Sequence, residues 1–207
     1  SGLVNSTETI DGATLRGANE AGGETNIATG YHAIEFLLWG QDLSEDGPGN
    51  RPFTDYVTDG SGTATNQDRR GQYLATVTDL LIEDLEGLET AWQDGAAYRT
   101  EFTSAAPEES LRRILTGMII LSGFETGGER LQTALDTADQ EDEHSCFSDN
   151  THRDMIQDVV GIQNVWLGSY ERLDGSTIQG VSIRDVVESE DSDLAEALDA
   201  KIAASLS

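Results

Sequence analysis

Apolar residues in this chain recur at intervals of three and four, and no stretch of convincing length alternates. That rhythm lines side chains along one stripe of a helix rather than one face of a strand, so it restricts the fold more than any other feature. Leu74, Val77, Leu81, Leu85, Leu88 and Trp92 mark a helix over about residues 66–92. Leu111, Leu115, Met118, Ile119 and Leu121 mark another, opening at Pro107, whose missing N–H suits a first helical turn. Asn26 or Thr25 is placed to cap a helix reaching Trp39, with Ile27, Tyr31, Ile34 and Leu38 on its stripe and Gly40 as its stop. Thr151 and Asp154 form a plausible cap pairing for a helix running through Met155, Val159, Ile162, Trp166 and Tyr170 to Gly175. A short helix near Tyr98, then a short and an Ala-rich helix over 182–207, complete the pattern. The expected class is all-α, a helical bundle or bundles, with no sheet of three or more strands.

The segments between these stripes are polar. Residues 1–23 read as loop or frayed helix, and 41–64, with Gly47-Pro48-Gly49 and Gly60-Ser61-Gly62, as a long surface loop with a short turn at 53–57. A loop of that length is either a lid or an insertion. Gly123, Gly127 and Gly128 fall inside a helical pattern and mark a kink, a break or a close helix contact. The expected division is a region 1–105 containing loop 41–64, and a second helical region 106–207.

Charge excludes some partners. Twelve Lys plus Arg stand against 39 Asp plus Glu, a net charge of −27, which repels nucleic acid and negative membrane surfaces. The longest apolar runs, Phe36–Trp39 and Met118–Leu121, are far too short to span a bilayer. Cys146 is alone, so no internal disulfide forms. Eleven of the twelve basic residues are Arg, Lys201 being the exception. Acid-rich, Lys-poor surfaces suit salty water, and a bias in base composition produces the same pattern.

The histidines are His32, His144 and His152. His32 and Glu35 are three apart on a predicted helix, so imidazole and carboxylate project from one face and can share a metal ion or simply pair with each other. His144 and Asp149 lie in a polar stretch from which a loop can bring them to a site, although Asp149 and Ser148 equally suit helix capping. Glu125 and Arg130 can form a buried ion pair or line a cavity, and Arg130 can hold a substrate carboxylate. Neither a serine elbow nor His-Glu-x-x-His is present, and Glu141-x-x-His144 occurs only once, too little for a ferritin-like di-iron site.

The segment Gly30-Tyr31-His32-Ala33-Ile34-Glu35-Phe36-Leu37-Leu38-Trp39-Gly40 resembles the Gly-x-His-x-x-Glu signature of the imelysin-like proteins. The likeness continues upstream through Glu20–Asn26 and downstream through Gln41-Asp42. Residues Ser122–Leu131 and His144–His152 are similar to the iron-regulated branch of that family. The resemblance implies an all-α protein of two helical bundles, of which this chain is a middle part, with companion segments of the same precursor or another chain over its apolar stripes. It also implies an exported bacterial protein, periplasmic or anchored as a lipoprotein at the outer membrane of a Gram-negative cell. Such a protein would be iron-regulated and meet an outer-membrane iron-uptake partner. The expected cofactor is a metal ion, iron favoured over zinc. His32 and Glu35 are its expected ligands, with His144 and Asp149 as further candidates and Glu125, Arg130 and Ser148 lining the site. The family also carries a metallopeptidase label. His-x-x-Glu supplies two ligands and no spare base, whereas a hydrolytic zinc site uses three protein ligands, a water and a base. Three readings stay open: iron-acquisition protein, metallopeptidase, and a structural or surface-interaction protein in which His32 and Glu35 are a polar pair.

Overall fold

Helices form wherever the three-to-four rhythm is sustained, and the computed structural model is all-α apart from one two-stranded hairpin. It describes every residue except Ser1, Glu24 and Glu45. Ser1 heads the first segment, Glu24 belongs to the upstream family-like stretch and Glu45 to the 41–64 loop, so those points lie outside the described residues. The chain packs as two compact units. The first runs up to Pro107 and takes in Ser145–Asp149; the second comprises Glu108–His144 and Asn150–Ser207.

In the first unit, α1 (Gly2–Asn5), α2 (Gly12–Ala18), α3 (Tyr31–Trp39), a 3₁₀ turn (Phe53–Tyr56), α4 (Gln67–Trp92) and α5 (Ala97–Ser104) follow in order. Val4, Ile10 and Leu15 are buried together with Ala33 and Leu37 of α3 and Tyr73, Val77 and Leu80 of α4. The opening segment is therefore core, not loop. Polar ties hold it there: Asp11 caps α2 by accepting from Thr14 N at 2.8 Å, Arg69 donates to the carbonyls of Leu3, Val4 and Glu8, and Gln72 donates to the carbonyl of Ile10.

Helix α3 starts at Tyr31 rather than near Asn26. Side chains compete for the backbone before it: Asn19 Oδ1 accepts from the amides of Ala28 and Thr29, and Tyr73 OH donates to the Ala28 carbonyl. The 41–64 loop is tied down, with Arg51 N donating to the Trp39 carbonyl at 2.8 Å and the Tyr56 hydroxyl donating to that of Leu37. Tyr73, Val77 and Leu80 in the first half of α4 are buried, whereas Ile82, Leu85, Leu88 and Trp92 of its second half are exposed.

The second unit opens at Glu108 within α6 (Pro107–Ile119), which continues as a π-helix over Ile120–Gln132 and then α7 (Thr133–Thr137). The glycines expected to mark a kink, a break or a close helix contact lie within its widened turns. A 3₁₀ turn (Gln140–Asp142), α8 (Thr151–Leu167), the strands β1 (Ser169–Glu171) and β2 (Thr177–Gln179), α9 (Ile183–Glu190) and α10 (Ser192–Ser205) follow. Trp166, Ile162, Ile183, Ala195 and Ile202 form the core. Trp166 Nε1 donates to Asp199 at 2.7 Å, and Arg184 Nε donates to the same carboxylate at 2.7 Å.

Two expectations fail here. Helix α8 ends at Leu167 instead of reaching Gly175, because Gly168 turns left-handed (φ 59°) and the chain reverses into a hairpin pairing Tyr170 with Ile178. Thr151 does not cap α8: Asn150 holds the cap position, and its side-chain amide donates to Asp154 at 3.0 Å. Ser182 and Asp185 cap α9 reciprocally. Among the described residues no helix is long and apolar enough to cross a membrane.

Candidate functional site

The motif's glycine has a backbone task. Gly30 precedes α3 at φ 85°, ψ −170°, a region essentially closed to residues with a Cβ, and from there the chain enters the helix directly. His32 and Glu35 then fall on one face of the first turns. Glu35 is buried in the middle of this nine-residue helix. Its Oε2 lies 2.9 Å from His32 Nδ1, and its Oε1 accepts from Ser148 N at 2.9 Å and Ser148 Oγ at 2.6 Å. The His32 side chain is 38% exposed.

Residues 145–149 reach α3 from more than a hundred positions along the chain, and several contacts besides Glu35 hold them. Phe147 packs edge-on against Phe36 with ring centroids 5.0 Å apart, and its carbonyl accepts from Gly49 N at 2.9 Å. Gly49 fits because it has no side chain: a Cβ there would lie 2.8 Å from the Trp39 carbonyl, 3.0 Å from that of Gly40 and 3.1 Å from that of Phe147. Arg51 lies over the Phe36 ring, pairs with Asp55 at 3.1 Å and donates to the Phe36 carbonyl. Burial raises the pKa of the neighbouring Tyr56 phenol.

Three of the residues singled out in the sequence thus meet: His32, Glu35 and Ser148. Asp149 follows Ser148 with a left-handed backbone (φ 54°). The other candidates belong to the second unit. His144 Nδ1 lies 3.2 Å from Asp154 Oδ2, and Asn150 donates to the other oxygen of that carboxylate. Glu125 and Arg130 form an ion pair at 3.0 Å on the π-helix, where i→i+5 winding stacks residues five apart. Both side chains are more than a third exposed, so the pair is not buried. Sequence reasoning named Gly49 only as part of a loop and Phe147 only as part of a family-like stretch, since neither has a side chain that ligates or titrates. Asp154 was visible only as a capping candidate.

The donor set is one imidazole nitrogen and one carboxylate oxygen, bonded to each other, with the second carboxylate oxygen engaged by Ser148. Among the described residues no group of three or more His, Cys, Asp or Glu converges as a metal cage. A resident hydrolytic zinc, which takes three protein ligands and an open position, does not fit these residues. The carboxylate on Nδ1 fixes the orientation of the imidazole ring and leaves Nε2 as its other polar atom.

A comparison with curated protein sequences gives no match. The family model described as Imelysin, a peptidase family, matches residues 4–207. That span contains the Gly30–Glu35 motif, the π-helical segment and the Ser148 loop, and the chain belongs to the imelysin family.

Proposed function

We propose that this chain is the motif-bearing part of an exported protein of bacterial iron acquisition that binds iron as cargo through His32 and Glu35. Family membership points to a metallopeptidase-like or iron-related protein. The observation that carries the iron reading is the 2.9 Å separation of His32 Nδ1 and Glu35 Oε2. Two adjacent ligands of one ion, each about 2.0–2.2 Å from it, stand about 3 Å apart, so a cation can replace the proton these atoms share. Ser148 keeps the carboxylate in place during that exchange. Nitrogen and oxygen donors without thiolate suit iron, and a two-ligand site leaves the other coordination positions to water or to the chelator that delivers the ion.

The peptidase reading is disfavoured on the same geometry, since Glu35 is committed to His32 and Ser148 and serves poorly as a general base. A structural reading has one observation in its favour: Glu35 fastens residues 145–149 to α3. Export to the periplasm, lipoprotein anchoring and an outer-membrane uptake partner belong to the proposal through the family. The exposed row Ile82, Leu85, Leu88 and Trp92 supports a companion segment or chain over α4.

Titration calorimetry with ferrous, ferric and zinc ions tests the proposal on the wild type, His32→Ala, Glu35→Ala and the double variant. Each single change is expected to weaken iron binding, and the double change to cost less than the sum, since both residues serve one ion. Binding should release a proton and weaken on acidification. Unchanged affinity in all three variants would leave the structural reading. Metal-dependent cleavage of a protein substrate, lost in the same variants, would restore the peptidase.

A further inference from the structure

The second unit contains a cleft of about 630 Å³, within the size range of small-molecule sites. Its walls come from three helical segments, each contributing one face. Leu115, Met118, Ile119 and Ser122 of α6 and its continuation are followed by Thr126, Gly127 and Leu131 of the π-helix, so the wider winding keeps the row facing the same way. Helix α8 gives Met155, Ile156, Val159 and Ile162. Helix α10 gives Leu198, Lys201, Ile202 and Ser205, a spacing that puts Lys201 on the apolar stripe of that helix.

Lys201 is the only lysine of the chain. Among the described residues no carboxylate forms an ion pair with it, in a protein with 39 acidic residues. The other polar groups of the lining are engaged. Thr126 Oγ1 donates to Asp158 at 2.9 Å, Ser122 Oγ to the Ile119 carbonyl, and Ser205 Oγ to the Lys201 carbonyl. The cleft is therefore an apolar trough with one cation on its lining.

We propose that this cleft binds a small anionic amphiphile, an alkyl chain ended by a carboxylate, with the chain against the aliphatic walls and the carboxylate at Lys201. Burying the tail supplies the affinity, and the single ammonium selects the sign of the head group. A second copy of the chain is a poor occupant, because it would bring −27 against −27. The site is independent of His32 and Glu35.

The test is titration calorimetry of the full chain at about 0.5 M NaCl, where general repulsion is screened and close pairing persists. The probes are dodecanoate, dodecanol and dodecylamine below their aggregation concentrations. Lys201 is exposed to water, so dodecanoate is expected to bind at one site about threefold tighter than dodecanol. Lys201→Met should remove that preference and leave dodecanol unchanged, Lys201→Arg should retain it, and Lys201→Glu should turn it towards dodecylamine. Leu115→Glu, a partly exposed position on the wall, should weaken dodecanoate and dodecanol alike. Circular dichroism and melting confirm that each variant is folded. Equal dodecanoate affinity in the wild type and Lys201→Met overturns the proposal, as does the absence of saturable binding in the folded wild type. A dimer that Leu115→Glu dissociates would assign the cleft to a second copy and overturn it as well.

Discussion

Replacing Glu35 by Ala deletes an acceptor shared by three donors: His32 Nδ1, Ser148 N and Ser148 Oγ. The His32 ring is more than a third exposed, so water replaces that partner at little loss. Ser148 is half-buried, and its amide and hydroxyl lose a charged acceptor. Hydrogen bonds to charged groups contribute about 1.5–3 kcal/mol each, and a stranded donor costs about 1–3 kcal/mol. Removing the buried carboxylate also relieves its own desolvation, which offsets part of the loss. The expected net destabilisation is about 2–3 kcal/mol for Glu35→Ala. For Glu35→Gln, which keeps an acceptor of the same shape, it is about 1 kcal/mol. The effect should be local, since this contact is one of those that hold residues 145–149, whereas the core around Val77 does not involve it. Because the chain has two compact units, one global unfolding curve is a poor readout, and hydrogen exchange resolved by peptide is the better assay. A loss of 2 kcal/mol raises opening about thirtyfold in peptides covering 144–150. Paired with Ser148→Ala, the coupling should be about 1–2 kcal/mol. Unchanged exchange in that segment, or additive single mutants, would refute the role assigned to the carboxylate.

Gly49→Ala drives a methyl to within 2.8–3.1 Å of three carbonyl oxygens, so it should lower the melting temperature of the first unit and loosen residues 145–149, at about 1–3 kcal/mol. In the second unit, hydrogen bonds from Trp166 and Arg184 hold the pKa of Asp199 below its ordinary 3.8. That stability is present above the unfolded value and is lost as pH falls through the depressed folded one, so Trp166→Phe should shift acid unfolding of this unit to higher pH, followed by circular dichroism. With a net charge of −27, the melting temperature should rise with added salt more steeply than for a near-neutral bundle, and a flat response would contradict adaptation to salt. Iron affinity should fall on acidification and in His32→Ala, measured by calorimetry.

The long helices were legible because their apolar period is a local property: α4 and α6 begin within a residue of where spacing and proline place them. The His32–Glu35 pairing was legible for the same reason, since three residues on one helix face is a local geometry. Tertiary structure decided the rest, wherever long-range hydrogen bonds outcompete local pattern. Arg69 and Gln72 turn a polar opening segment into core, and Asn19 and Tyr73 delay the start of α3 by tying up its preceding residues. Gly168 shows the converse: its position in the sequence permitted either a continuing helix or a reversal, and pairing of Tyr170 with Ile178 selected the reversal. The π-helix was not legible either, because glycines register as weakness in a helical pattern and not as a change of winding. The site itself divides in this way. Histidine and glutamate could be read from one helical turn, but that Glu35 is buried and gripped by Ser148 depends on a loop 113 residues away, which only the folded chain brings to it.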